Sequence, residues 1–345
     1  MSNVLEFTLG LDLAQASFDA AIAPAGSDVK LWRALAHTHI EQAPDSAAGI
    51  GALRDWLDAA APAGRCVRII VESTGSLSRR VAHALAQAGV GQASIVNPRR
   101  SKAFGDSLGV RDKSDRIDCA ILALYGQVHA PQPTKLRSVA GEELRELTRL
   151  RENLVAERTA WINRMGEASS ELARSTIKQT IGNLDRQVKQ IDEQIDERIE
   201  KEEPLRLQVT ALRRIPGIGP VTARTLTAEL GDLRIYTRGQ IVALAGMFPK
   251  EFTSGKTVQR RPRLAKGGGA RLRRVLYMCA TSLFHSKGVM REWIERQLNE
   301  GRKPMIVTTM AMRKLLLVAR AVMVAGGHFN PSLLMPLIFQ VRRES

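Results

Sequence analysis

The sequence predicts a mixed α/β domain over residues 1–135, a helical coiled-coil connector over 138–203 and a basic, mainly α domain over 204–345. Three observations lead there. Strand-length apolar runs alternate with helical stretches in the first third, and the middle carries apolar residues at 4-3-4 spacing among charges. The last part is cationic and punctuated by glycine. A chain of 345 residues is long enough to bury the cores of two or three domains.

The opening residues read as a meander of three strands at 5–13, 17–23 and 29–36, with turns at 14–16 and 24–28. A helix over about 45–60 follows, capped by Asp45, then an apolar strand at 67–71, a helix at 76–88 and a short strand at 93–96. Pro98 opens another helical stretch, and Ser114 caps a helix that reaches Tyr125. A meander followed by alternating helix and strand gives a mixed sheet.

In the connector, Leu144, Leu147 and Leu150 form one stripe, and Leu184, Val188, Ile191 and Ile195 form another. Both fit a coiled-coil seam. Gly166, Ser169, Ser170 and Gly182 place a break of the helix somewhere in 166–182. Such an arm either spaces two domains or pairs with a second copy, and the spacing fits both.

The net charge of +16 is one-sided. Residues 204–345 hold 25 Lys/Arg against 7 Asp/Glu, while the rest of the chain is nearly balanced. That footprint suits a polyanion, since neutralising phosphates releases counterions. Cys66, Cys119 and Cys279 are odd in number and far apart, so they read as small buried residues of a reducing compartment rather than as disulfides or a zinc site. The histidines (His37, His39, His83, His129, His285 and His328) are scattered and read as structural or surface residues. The N-terminus lacks the pattern of a signal peptide, and the most apolar stretch, 315–326, is too short for a bilayer and contains Arg320. A cytoplasmic protein with a core helix there, and no membrane partner, is expected.

Four acids carry the chemistry. Asp12 and Glu72 end apolar strand-like runs, where an ionised carboxylate is costly without a compensating cation or proton. Asp115 and Asp118 are three residues apart, on one face of the helix that Ser114 opens. Brought to one sheet edge, such a set can hold Mg²⁺ or Mn²⁺ for phosphoryl transfer. Taken singly, each acid is more often a cap or a surface charge, and Asp19, Asp106 and Asp112 lie close enough to be confused with the set. Together with the meander, the four resemble the core of an RNase H or RuvC nuclease. An actin-like kinase also opens with Gly-x-Asp on its first strand, but a second Gly-rich phosphate segment of the expected form is missing.

Two features of the basic part matter. Around Ile215-Pro-Gly217-Ile-Gly219, the sequence has the shape of a helix-hairpin-helix turn, in which backbone N–H groups approach a DNA phosphate. Arg213, Arg214 and Arg224 favour that reading over an ordinary tight turn, and the contact would position DNA without reading bases. Farther on, residues 250–274 hold nine Lys/Arg and one acid around Ser254-Gly255. A Ser-Gly pair is usually a turn, and spacing alone favours that. A serine among cations can instead be a nucleophile, because positive charge stabilises both its alkoxide and the transition state. The candidate nucleic-acid contacts are Lys113, Arg116, Arg213, Arg214, Gly217, Gly219, Lys256, Arg260, Arg261, Arg263, Lys266, Arg271, Arg273 and Arg274.

Gly10-Leu-Asp12, Val71-Glu72-Ser-Thr-Gly75, Val96-Asn97-Pro98 and Lys113-Ser-Asp115-Arg-Ile-Asp118 resemble successive blocks of the DEDD-type insertion-sequence transposases, the group of the Piv/MooV invertases and the bridge-RNA-guided recombinases. Ile215–Gly219, Leu244-Ala-Gly246-Met-Phe-Pro249, Ser254-Gly255 and Arg271-Leu-Arg273 resemble the second domain of that family. The likeness runs from about residue 8 to 283. It departs at Met247-Phe248, where Leu is commoner, and in the extra glycines of 266–269.

The resemblance implies a RuvC-like domain, a coiled-coil connector and a C-terminal transposase domain. It further implies that Asp12, Glu72, Asp115 and Asp118 bind Mg²⁺ while Ser254 attacks the DNA phosphate. Members act on donor and target DNA as homo-oligomers, dimers or tetramers, with acids and serine brought together across subunits. In some, a structured noncoding RNA pairs with both DNAs. Two other readings remain at this stage: a RuvC-like structure-selective endonuclease, which needs the acids but not Ser254, and a non-catalytic helix-hairpin-helix protein, which needs neither.

Overall fold

Alternation along the first strand decides how the N-terminal sheet is covered. In β1 (Glu6–Leu13), Phe7, Leu9 and Leu11 point to one face and Thr8, Gly10 and Asp12 to the other. The computed structural model describes residues 6–61, 66–110, 112, 114–254, 258–264 and 268–330, and the chain divides into two units, Met1–Leu136 and Arg137–Ser345.

In the first unit β2 (Phe18–Pro24) pairs antiparallel with β1, and β3 (Ala36–Ile40) antiparallel with β2. On the other side β4 (Cys66–Glu72) runs parallel to β1, and β5 (Ala93–Val96) parallel to β4. The sheet order is β3-β2-β1-β4-β5, a mixed sheet as expected. Helices α1 (Ala47–Ala60) and α2 (Leu77–Gln87) bury Ile50, Leu53, Leu57, Val81 and Leu85 against Leu9, Leu11, Phe18, Ile69 and Val71. After β5 comes α3 (Pro98–Ser107), capped by Asn97, whose side chain accepts from the Arg99 N–H.

The opposite face is covered by α4 (Asp115–His129), and small residues set how close it comes. A Cβ on Gly10 would lie 2.0 Å from the Cys119 carbonyl oxygen and 2.4 Å from the Ala123 nitrogen. One on Gly126 would lie 2.4 Å from Ile70 Cγ1 and 2.5 Å from Thr8 Cγ2. Ala21 meets Cys119 and Ala120, and Ala23 meets Ala123 and Leu124. The helix backbone therefore rests almost directly on the sheet, running antiparallel to β1.

Two local expectations are corrected. Residues 29–36 are not a strand: Val29–Ala34 is a 3-10 helix, and the third strand begins at Ala36. The Asp28 side chain accepts from the Lys30 N–H at 2.9 Å, and Val29, Trp32 and Leu35, three residues apart, all pack beside α4. The α1 cap is Ser46, whose Oγ accepts from the Gly49 N–H at 3.0 Å, whereas Asp45 pairs with Arg80 at 2.7 Å.

The second unit opens with α5 (Val139–Glu167) and α6 (Glu171–Lys201), which fold back on one another. Ion pairs Arg198–Glu143, Arg151–Asp192 and Arg158–Asp185 fix the antiparallel register. The break falls at 168–170, inside the expected window, and Gly182 stays helical. Leu144, Leu184 and Ile195 are buried, while Leu150 is exposed. Helices α7 (Glu203–Arg213) and α8 (Pro220–Leu230) flank the glycine turn, where Gly217 has φ +89° and a Cβ would meet Leu283 at 2.9 Å.

After α9 (Arg238–Leu244) come two paired strands, β6 (Pro249–Ser254) and β7 (Val258–Leu264). The strand pair was not expected, because cations stand where an apolar alternation would show it. Helices α10 (Ala270–Leu283), α11 (Val289–Asn299) and α12 (Pro304–Val324) complete a core of Leu212, Leu226, Leu276, Ile294, Leu316 and Val318. Residues 315–324 are core helix, as expected, and no helix among the described residues is long and apolar enough to cross a membrane.

The glycines give a paired test of this packing. Gly10→Ala drives a methyl group into the α4 backbone and should lower stability by about 2–3 kcal/mol. Gly182→Ala, in open space within α6, should raise it by about 0.5–1 kcal/mol. Denaturant unfolding of the two variants beside the parent chain measures both.

Candidate active site

The four acids come from three elements meeting at one sheet edge. Asp12 and Glu72 each follow the last residues of the parallel β1–β4 register, Leu11 opposite Val71, and both point to the α4 side, as Gly10 and Ile70 do. Because Cys119 and Ala123 sit over Gly10 and Gly126 over Thr8, the N-terminal turn of α4 lies towards the Asp12 end of β1. That turn carries Asp115 and Asp118, with Ser114 capping it through its Oγ and the Ile117 N–H. The positive end of the α4 dipole thus faces the acids.

The electrostatics follow from this crowding. Burial pushes the Asp12 carboxyl up to about 6, and the charges of Asp118, Asp115 and Glu72 push in the same direction. Glu72 is half-buried and accepts a 2.6 Å hydrogen bond from Ser101 Oγ, which fixes its orientation. Cys119, beneath the acids, is buried, and burial together with Asp19 and Asp12 raises its thiol so far that it stays protonated. An all-carboxylate oxygen donor set that repels itself fits a hard divalent cation. Among the described residues, no three His, Cys, Asp or Glu side chains are close enough to ligate one ion, so sharing an ion would require these carboxylates to come closer together.

Of the other early acids, Asp112 pairs with Arg33 at 3.6 Å and Asp106 is exposed on α3. Asp19 is different: it is buried, opposite Asp12 in the β1–β2 register, and bonded to His37 and His39. The sequence reading missed Ser101 and this Asp–His pair. The signals were present, since Ser101 lies in the first turns of the helix leaving β5 and His37 and His39 keep the period of two of one strand face.

The candidate nucleic-acid contacts divide. Arg213 and Arg214 are exposed beside the glycine turn containing Gly217 and Gly219, and Arg116 is exposed, donating to the Arg33 carbonyl at 3.4 Å. Several cations are engaged within the fold. Arg271 pairs with Glu152 at 3.1 Å and Arg274 lies 3.9 Å from it. Arg273 Nη1 donates to the Ala245 and Gly268 carbonyls, both at 2.9 Å. Arg224, read beside the turn as a phosphate contact, pairs with Asp192 and Asp196. Ser254 closes β6, opposite Val258; its side chain, and those of Arg260, Arg261 and Arg263 on β7, lie outside the described part of the structure. Lys113, Lys256 and Lys266 lie outside the described residues.

A carboxyl group raised to about 6 in the folded chain holds its proton more tightly there than in the unfolded chain. Its ionisation thus lowers stability as pH rises from about 4 towards 6 and beyond. In metal-free protein at pH 8, Asp12→Asn should raise the melting temperature by about 2–5 °C. The gain should vanish near pH 4, and Mg²⁺ should raise the melting temperature of the parent chain but not of the variant.

Comparison with known proteins agrees with this arrangement. The family described as "Transposase IS116/IS110/IS902 family" matches residues 209–295, and a DEDD transposase domain of the same family matches residues 9–169. The "Pilin gene-inverting protein" of Moraxella lacunata is 28% identical over 328 residues, covering 93% of this chain and 97% of that one, and its counterpart in Moraxella bovis matches equally. The "Transposase for insertion sequence element IS1328" of Yersinia enterocolitica is 29% identical over 160 residues, 45% of this chain and 46% of that one. A DEDD domain implies dependence on a divalent metal ion in general. Acids gathered at the edge of a mixed sheet, and two family matches that together span most of the chain, place it in the IS116/IS110/IS902 family of transposases, enzymes that recombine DNA.

Proposed function

We propose that this chain is an insertion-sequence transposase or site-specific recombinase that cuts and rejoins DNA with a carboxylate-bound Mg²⁺ or Mn²⁺ and a serine nucleophile. The observation that supports it most is the meeting of Asp12 and Glu72, on adjacent strand ends, with Asp115 and Asp118 at the opening of α4. Such a set would bind the cation, whose contribution is to stabilise charge on the phosphate oxygens. Asp12, raised by burial and then by its acidic neighbours, would have to be ionised to hold such an ion, and Ser101 keeps the Glu72 carboxylate turned in one direction.

In this reading Ser254 attacks the phosphate and forms a phosphoserine, which conserves bond energy for rejoining; hydrolysis would lose it. Near full-length likeness to gene-inverting proteins supports rejoining, since an inverted segment must be resealed. Arg213, Arg214, Gly217 and Gly219 would grip the phosphate backbone in helix-hairpin-helix fashion. Lys113, Arg116, Lys256, Arg260, Arg261, Arg263, Lys266, Arg271, Arg273 and Arg274 would supply further positive charge. The chain would act in the cytoplasm as a homo-oligomer on donor and target DNA, and a structured guide RNA pairing with both, as in some members of the family, is compatible with this role.

Suicide-substrate DNA incubated with the full chain and Mg²⁺ should become covalently joined to protein, and peptide mapping should place the adduct on Ser254. Ser254→Ala should lose the adduct and at least about 10³-fold of cleavage. Hydrolytic cleavage by Ser254→Ala at the parent rate would instead establish a RuvC-like nuclease. DNA binding without cleavage by either protein would leave only an architectural role. RNA sequenced from the same purification tests the guide.

A further inference from the structure

Beside the four acids lies a group that the reading above leaves unused. Asp19 stands opposite Asp12 across β1–β2 and opposite His39 across β2–β3, so the three form a row across one face of the sheet. The Asp19 side chain is only 8% exposed, and two imidazoles bond to it, His37 through Nε2 at 2.7 Å and His39 through Nδ1 at 2.8 Å. An ionised carboxylate only accepts, so both ring nitrogens carry hydrogen. For His39 this leaves Nε2 directed away from Asp19, on a side chain 47% exposed, whereas His37 is 20% exposed. A carboxylate on Nδ1 with Nε2 open is how hydrolytic triads orient a proton-transferring imidazole.

The surroundings of His39 are acidic. The hydrogen bond to Asp19 and its charge raise its proton affinity against an opposing effect of burial, and Glu41 beyond the end of β3 and Asp115 on α4 add lesser contributions in the same direction as Asp19. His37 shares its strand, and α1 packs on the other face, where Ile40 meets Ile50 and Leu53. Adjacent strands lie about 4.8 Å apart, so the His39 backbone is about 10 Å from that of Asp12, with Asp19 between them, a separation comparable to the length of one nucleotide unit. Phosphoryl transfer from DNA expels a sugar oxygen, a poor leaving group unless protonated, and ionised carboxylates carry no proton to give it.

We propose that His39, held by Asp19, is the general acid of DNA cleavage, donating its Nε2 proton to the departing sugar oxygen. The proposal rests on the phosphoryl-transfer reading above. As the bond from the attacking hydroxyl oxygen to phosphorus forms, the hydroxyl proton passes to solvent. The phosphorus–sugar oxygen bond breaks, its electron pair stays on that oxygen, and the His39 proton completes the sugar hydroxyl. In rejoining, neutral His39 takes the proton of the sugar hydroxyl as that oxygen attacks the phosphoserine. The phosphorus–serine oxygen bond breaks, its electron pair stays on the serine oxygen, which takes a proton from solvent, and nothing is oxidised or reduced. His39 is then catalytic, Asp19 is a positioning residue, and the hydrogen bond from His37 holds Asp19 in place.

The test is single-turnover cleavage by the full chain of DNA whose scissile phosphate carries either oxygen or a bridging sulfur at the leaving position, made separately on the 3′ and 5′ sides. A thiolate departs without a proton. His39→Asn keeps an amide N–H where Nδ1 bonds to Asp19 but has no acid to offer. It should cleave the oxygen substrate at least about 10²-fold more slowly, cleave one sulfur substrate within about tenfold of the parent rate, and bind DNA within about threefold of the parent affinity. Asp19→Asn should shift the pH–rate profile on oxygen while sparing the same sulfur substrate. Equal loss on oxygen and on both sulfur substrates, a matching loss of DNA affinity, or no loss at all would overturn the proposal. Should His39→Asn fail to fold, the parent chain decides: its alkaline loss of rate on oxygen should disappear on sulfur, and identical profiles would overturn the assignment. Sulfur rescue in a protein that forms no serine adduct would sink the nucleophile reading and leave His39 standing.

Discussion

The approach of α4 to the sheet is the constraint on which the rest of the N-terminal unit depends. A helix lying on glycine and alanine sits closer to a sheet than one held off by leucine, and here both partners are pared down, with Gly10 below the helix and Gly126 within it. That closeness sets the height of the first turn of α4, so Asp115 and Asp118 arrive level with the ends of β1 and β4. The opposite face, with its larger Leu, Ile and Phe side chains, supplies most of the apolar burial. One face of the sheet stabilises the unit and the other holds carboxylates against their mutual repulsion.

The cationic unit follows a different rule, and the sequence overstates its open charge. Many of its arginines are neutralised internally. Arg145 and Arg149 converge on Glu229, whose burial alone would raise its carboxyl but which the two guanidinium groups hold below the usual range. Arg224 is tied to α6 and Arg271 to α5. Arg213 and Arg214, exposed beside the turn, are in a different position. A screen of basic residues for DNA contact should weigh exposure and ion pairing as well as their number.

Much of the fold was legible because local rules acted alone. The strands β1, β2, β4 and β5 and the Ser114 cap were each read from periodicity or capping within a residue or two, and the break between α5 and α6 falls inside the window 166–182 that glycine and serine marked. The reading failed at 29–36, where an apolar run suited to a strand is wound by the Asp28 cap into a 3-10 helix, and at β6–β7, where charge hides the alternation. The acids could be picked out because carboxylates on strand ends need compensation. For Ser101 and the pairing of Asp19 with His37 and His39 the sequence offers position and period but not the partner, since each pairing depends on which elements lie next to one another. A histidine's sequence position says nothing of the carboxylate across the sheet from it.

Repulsion among the acids, the helix dipole behind them and the oxygen donors they offer all support the central proposal, that Asp12, Glu72, Asp115 and Asp118 would close around a divalent cation. Anomalous diffraction from crystals of the full chain grown with Mn²⁺ tests it most directly. Metal density within ligating distance of carboxylate oxygens from both strand ends and the first turn of α4 is the expected result. Density elsewhere, or none at this edge at saturating Mn²⁺, would contradict it.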